Sequence, residues 1–234
     1  MRAEHLLDDA AAHFALRTAV VSGVREYTYA ELAHTADRAA AGLARHGIAQ
    51  GEHVALMLAD NFEAVVSMFA VLKAGCVAVP LDGGARPDTL EQALRRSGAS
   101  ALITEVKLAS AAGVALRAAP QVRLVVLAGG DRATTSESCL TFEGLTREAA
   151  IDAAVPVASA DSDPALFLAT AGAPPNAVTH AQLMEALEEN APAAAERFSI
   201  LTRSGLCRLL AIVRAGATLV LPAARGEPRL ALAG

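Results

Sequence analysis

The stretch LATAGAPPNAVTH, Leu168 to His180, closes an apolar run in small residues, crosses two prolines and reaches a histidine. The chemistry such a turn can do is anion binding. Backbone N–H groups and hydroxyls wrap a phosphate, and a lysine adds charge. Thr170 offers a hydroxyl, Gly172 a permissive backbone, and Asn176 and His180 polar side chains, but no lysine is present. Pro174 and Pro175 remove two donors. The competing reading is a strand-to-helix turn, with Thr170 as a turn hydroxyl and His180 as a helix-start residue. Ser204 lies between Arg203 and Gly205 without the G-x-S-x-G surroundings of an activated nucleophile, so it reads as a helix N-cap. Cys76, Cys139 and Cys207 are far apart and odd in number, and the six His residues lack ligand spacing. No catalytic residue and no metal site is expected. Cys76 reads as buried packing, and Glu185, Glu188 and Glu189 as a solvated helix face.

Composition narrows the classes further. Hydrophobic residues make up 53% of the 234, and charged residues only 19%, which requires a folded core. Much of the apolar content is alanine and aromatics are 3%, so close helix packing through small side chains is expected. A net charge of −5 without a basic run excludes a nucleic-acid footprint. Apolar runs stay below the ~20 residues of a membrane span, and the N-terminus is acidic, unlike a secretory signal. With unpaired cysteines, a cytoplasmic location is expected.

Elements that must position the turn can be placed by pattern. Leu6, Leu7, Ala10 and Phe14 have helical spacing and predict a docking helix. Val20-Val21 and Tyr27-Thr28 bracket a hairpin at Ser22-Gly23. Thr28 and Glu31 form a capping box for a helix with Leu32, Ala36, Ala39 and Leu43 on one face, stopped by Gly47. Strands follow at 54–58, 76–80, 101–104 and 123–127. Between them lie helices capped by Asn61 and opened by Pro87, the latter stopped at Ser97-Gly98. Lys73 sits at a helix end, where a cation suits the dipole. Residues 1–128 read as an N-terminal α/β subdomain, 129–162 as a connecting segment, 163–222 as a second α/β portion and 223–234 as a tail. In the second portion 165–169, 198–201 and 217–221 read as strands, and 180–190 and 204–214 as helices. The alternation predicts an α/β fold, a layered α/β/α arrangement with a mostly parallel sheet.

Three extended stretches, YTYAELAHTADRAAAGLARHGIAQGEHVALML (Tyr27–Leu58), NFEAVVSMFAVLKAGCVAVPLD (Asn61–Asp82) and RPDTLEQALRRSGASALIT (Arg86–Thr104), resemble in order and spacing the N-terminal part of the adenylate-forming, AMP-binding enzymes. That superfamily includes acyl- and aryl-CoA ligases and the adenylation domains of nonribosomal peptide synthetases. The resemblance runs from about residue 15 to about residue 222 and implies the fold of their N-terminal subdomains. It also implies a chemistry: a carboxylate joined to ATP, giving an acyl-adenylate and pyrophosphate, then transfer to a thiol.

The family's phosphate loop reads roughly Tyr-Thr-Ser-Gly-Thr-Thr-Gly-x-Pro-Lys-Gly-Val, with a His soon after. Asp163-Pro164-Ala165 through Thr170-Ala171-Gly172 match its approach, and Pro175, Val178 and His180 its exit. The Thr-Thr-Gly core between them is missing, Asn176 stands at the lysine and Ala177 at the following glycine. A second motif places a His three residues before a Gly near the acyl pocket. Gly205 matches the glycine and Thr202 occupies the His position. The family's later motifs, for adenine, magnesium, ribose, the hinge and the C-terminal lysine, are not matched by any residue before Gly234.

These departures imply a non-catalytic, pseudoenzyme-like relative that acts as a binding, regulatory or partner subunit. No cofactor is expected, ATP and magnesium included. A homo-oligomer or a protein partner is expected to cover the faces that the rest of such an enzyme would cover, and a small carboxylate or acyl group is the ligand class left open. The alternative is half of a split AMP-dependent ligase, or another reaction in the remaining cleft.

Overall fold

The computed structural model describes residues 2–129, 139–147, 159–168, 176–189 and 198–222. The chain opens with helix α1, Leu6–Phe14, which buries Leu6, Leu7 and Ala10. Strands β1, Thr18–Ser22, and β2, Arg25–Thr28, form the expected hairpin, and Gly23 takes a φ of 63° at its turn. Helix α2, Tyr29–Arg45, begins at the expected capping box. Thr28 Oγ1 accepts from the Glu31 N–H at 3.2 Å, and the Thr28 N–H donates to Glu31 Oε2 at 2.7 Å. Leu32, Ala36, Ala39 and Leu43 are fully buried along its face.

Strand β3, His53–Met57, leads to α3, Phe62–Lys73, whose first turn donates to Asn61 Oδ1 through Ala64 at 2.9 Å. Strand β4, Val77–Pro80, and α4, Pro87–Ser97, follow, and α4 stops at Gly98 in the left-handed conformation. Next come β5, Ala101–Glu105, helix α5, Ala109–Leu116, and β6, Leu124–Ala128. Two short elements, β7 (Leu140–Thr141) and α6 (Phe142–Arg147), lie inside 129–162, the stretch that composition marked as a connection. Thr141 Oγ1 accepts from the Gly144 N–H at 2.9 Å and starts α6, and Arg38 of α2 donates to the Thr146 and Arg147 carbonyls at its end. Positions 130–138 and 148–158 fall outside the described residues.

The remaining elements are β8 (Pro164–Leu168), β9 (Asn176–Thr179), α7 (His180–Glu189), α8 (Arg203–Arg214) and β10 (Leu219–Leu221). A seven-stranded sheet has the order β7-β6-β5-β3-β4-β8-β9, parallel except for the antiparallel β8–β9 pair. A three-stranded sheet has the order β10-β1-β2, with β10 parallel to β1 and β2 antiparallel to it.

Side chains alternate across the large sheet, as a pleat requires. Val54, Leu56, Ala101 and Ile103 face one core with α1, α2, α3, α7 and α8. Ala55, Met57, Val79 and Leu102 face a second core with α4 and α5. Helix α3 packs on α2 and touches β1 of the small sheet as well as β3 and β4 of the large one, so it lies between the two sheets. The layered α/β architecture expected from the sequence is therefore present, with both faces of the large sheet covered.

One expected strand is absent. Residues 198–201 form a turn, because side chains there take over the backbone groups. Asp60 Oδ1 accepts from the Ile200 N–H at 2.8 Å, and Thr202 Oγ1 donates to the Ser199 carbonyl at 2.9 Å.

Candidate functional site

Strands β8 and β9 carry the turn that drew attention in the sequence. Leu168 pairs with Asn176, so residues 169–175 form the connection between the two strands. Thr170 and Gly172, the hydroxyl and the permissive backbone of the expected site, lie outside the described residues. Asn176 is the first residue of β9 and is exposed, on the antiparallel edge of the sheet. The sequence reading leaves 170–179 as the connection between a strand and a helix; the structure makes 176–179 a strand, because the backbone of Ala177 and Val178 finds partners on β8 at Phe167 and Leu166.

His180 opens α7, as expected, but its ring is turned inward and only 2% exposed. A second capping box starts this helix: Thr179 Oγ1 accepts from the Gln182 N–H at 3.2 Å, and the Thr179 N–H donates to Gln182 Oε1 at 3.0 Å. The signal was in the sequence as Thr179-His180-Ala181-Gln182, and it explains why the helix begins at the histidine. The His180 Nδ1 lies 3.1 Å from Glu4 Oε2, a residue that sequence reading gave no role. Burial holds this imidazole below the usual histidine range, against the pull of the Glu4, Asp163 and Asp161 carboxylates, while Arg2 adds to the lowering. The ring is thus mostly neutral and packed, and Asn176 and His180 are placed in different surroundings, one in solvent and one in the core.

The second candidate position is well defined. Thr202 is the N-cap of α8 and accepts from the Gly205 N–H at 3.0 Å. Ser204, expected at the cap, is the second residue of the helix, because Thr202 has the extended backbone that a cap needs, φ −133° and ψ 160°. Gly205 is buried against Ser199: a Cβ at this position would overlap the Ser199 carbonyl oxygen and sit 2.9 Å from Thr202 Oγ1. The glycine is required by close approach of two backbones, and Thr202 is engaged in holding the helix start.

The cysteines are packing residues or partly covered thiols. Cys76 and Cys207 are buried and Cys139 is half-buried. Burial pushes the Cys76 thiol up to about 12, with the Glu52 carboxylate adding to the shift, so it carries no thiolate at neutral pH. Among the described residues no group of three or more His, Cys, Asp or Glu side chains is placed to hold a metal. Glu185 and Glu188 are exposed on α7. Among the described residues no helix is long and apolar enough to cross a membrane.

Three similarities bear on this arrangement. The chain superposes on the apo structure of MbtA from Mycobacterium smegmatis with a TM-score of 0.82 and 30% identity, over 96% of this chain and 44% of that one. Phosphinothricin tripeptide synthetase PhsC of Streptomyces viridochromogenes is 41% identical over 104 residues, 44% of this chain and 10% of that protein. The medium/long-chain-fatty-acid–CoA ligase FadD6 of Mycobacterium tuberculosis is 30% identical over 171 residues, 71% of this chain and 26% of that protein. The chain therefore spans less than half the length of each of these three proteins. The sequence profile of the AMP-binding enzymes matches residues 7–231, nearly the whole chain, from α1 past β10 and across both candidate positions. With that match over nearly the whole chain, the chain belongs to the AMP-binding enzyme family.

Proposed function

We propose that this chain is a non-catalytic binding relative of the acyl- and aryl-activating ligases, serving as a partner or regulatory subunit in acyl, aryl or peptide metabolite synthesis. The observation that carries the reading is Asn176. It stands where the family's loop has its lysine, exposed at the start of β9, beyond a shortened connection that contains Pro174 and Pro175. A charged hydrogen bond to phosphate contributes about 1.5–3 kcal/mol, and an amide brings no charge to replace it. Two prolines further reduce the N–H groups available to an anion. Tight binding of ATP and magnesium is therefore not part of this proposal. Thr170 and Gly172 would remain to bind a small carboxylate or acyl group.

A protein partner or a second copy of the chain fits the sheet edges. Among the described residues β2 and β10 end the small sheet, and β7 and β9 end the large one. Open strand edges are pairing surfaces unless covered.

A second reading is favoured by the extent of the retained fold. The alignment with MbtA extends over 96% of this chain at 30% identity, so the fold that such a ligase part needs is kept. Pyrophosphate exchange separates the two. The isolated protein, given ATP, magnesium and a panel of carboxylic acids, is expected to show no exchange, and none when proteins encoded by neighbouring genes are added. Exchange by the isolated chain would overturn the non-catalytic reading, whereas exchange only with an added protein would establish the divided ligase.

A further inference from the structure

Five buried side-chain atoms among the described residues lack an aligned hydrogen-bond partner: Glu4 Oε1 and Oε2, Ser159 Oγ, His180 Nδ1 and Ser67 Oγ. All but the last belong to one junction. Arg2 donates to the Ser159 carbonyl and lies 3.7 Å from Glu4 Oε1, while Glu4 Oε2 faces the His180 ring at 3.1 Å. The Glu4 and His180 side chains are 4% and 2% exposed. Three pieces of chain meet here: the N-terminal segment, the turn before β8 and the start of α7. The His180 N–H donates to the Asp163 carbonyl at 3.1 Å, and the Ala181 N–H to that of Asp161 at 2.9 Å.

We propose that the buried Glu4–His180 junction is a proton-sensitive weak point: its neighbours hold the N-terminal segment, Arg2 to Phe14, against the start of α7, and acidification releases it. Buried polar groups without aligned partners lose the hydration they would have in water, so this junction is held by its neighbours rather than by its own bonds. The neighbours are those of α1, which packs on α2 and α8 through Leu6, Leu7 and Ala10. Opening returns His180 to water, where its ring takes a proton near the ordinary histidine range. The groups that face the ring act in both directions: Glu4, Asp161 and Asp163 favour the cation, and Arg2 and burial oppose it.

The sign follows from linkage. Burial dominates, so the closed state binds the proton less readily than the open one. The closed state is then fully favoured above the ordinary histidine pKa and loses ground as pH falls toward the depressed value. Because one proton is taken up, the opening equilibrium changes by at most about tenfold per pH unit. The proposal is independent of whether the chain binds a nucleotide.

Amide hydrogen exchange on the full chain, corrected for the intrinsic pH dependence of exchange, tests it between about pH 7.5 and pH 5.5. The expected result is a several-fold loss of protection in α1 toward acid, with α3 unchanged, and a flat profile for His180→Gln. A flat α1 profile in the wild type, or the same slope in His180→Gln, would overturn the proposal. Should that variant fold poorly, the ring itself decides by NMR titration in the wild type. A His180 pKa below the ordinary value supports the proposal, and one at or above it sinks it.

Discussion

Gly205 shows how one residue can be fixed by its surroundings without taking part in chemistry. Its N–H donates to the Thr202 cap at 3.0 Å, and its missing side chain lets the Ser199 carbonyl approach. A methyl group at this position has nowhere to go, since its neighbour is backbone. Gly205→Ala is expected to destabilise the protein by about 1–3 kcal/mol, the usual range for overpacking, read as a lower urea midpoint at unchanged m-value. A midpoint within error of the wild type would show that the turn at 198–201 can shift. Thr202 and Asn176 make a useful contrast. Thr202 is committed to a helix start, while Asn176 is exposed at a strand end, so packing constrains the first and leaves the second free to change.

At the scale of elements, the docking of α6 on α2 leaves little tolerance. A Cβ at Gly42 would overlap the Leu145 carbonyl oxygen and meet Leu145 Cδ1 at 2.9 Å. Phe142 and Leu145 are the buried residues of α6, and Arg38 binds the carbonyls at its end. Alanine raises the intrinsic helix propensity of α2 by up to about 1 kcal/mol, so propensity alone predicts a more stable protein. Packing predicts the reverse, because α6 must move away and uncover Leu145. Gly42→Ala is expected to lower stability and to open α6 to proteolysis while α2 stays intact. A more stable protein with α6 protected would mean that propensity wins. Lys73 also acts at this scale. Its ammonium lies 2.5 Å from Asp37 Oδ1 of α2 and also pairs with Asp8 of α1, so the cation expected to serve the α3 dipole joins three helices.

For the whole molecule, the distinctive contact is between the first and last described parts of the chain. The Tyr29 hydroxyl, in the first turn of α2, donates to the Ala217 carbonyl at 2.6 Å, just before β10. Strand β10 then pairs with β1, with Val20 opposite Leu219. Tyr29→Phe removes this donor from the Ala217 carbonyl, a loss of about 1 kcal/mol. Burial raises the Tyr29 phenol to about 12, offset in part by Arg17. The folded value exceeds the unfolded one, so this contribution is complete below about pH 10 and is lost as pH rises further. The variant should therefore lose stability at neutral pH and show a shallower alkaline limb in thermal melts. An unchanged alkaline limb would assign that limb to other groups.

Local chemistry written in the sequence carried most of the elements. The capping box at Thr28 and Glu31, the Asn61 cap, the Gly98 stop and the apolar faces of α2 and α3 each depend on residues a few positions apart, so spacing alone specifies them. The strands β3 to β6 were legible for the same reason, as branched apolar runs between turns. What sequence could not decide was which distant backbone each group would meet. Residues 198–201 look like a strand until Asp60, far away in the chain, claims the Ile200 N–H. Residues 176–179 look like a loop until β8 lies alongside. His180 has the place of a site residue, yet Glu4, 176 positions earlier, meets it inside the core. Short-range bonding is fixed by covalent neighbourhood, whereas burial, pairing and proton affinity depend on partners that only the folded chain brings within reach.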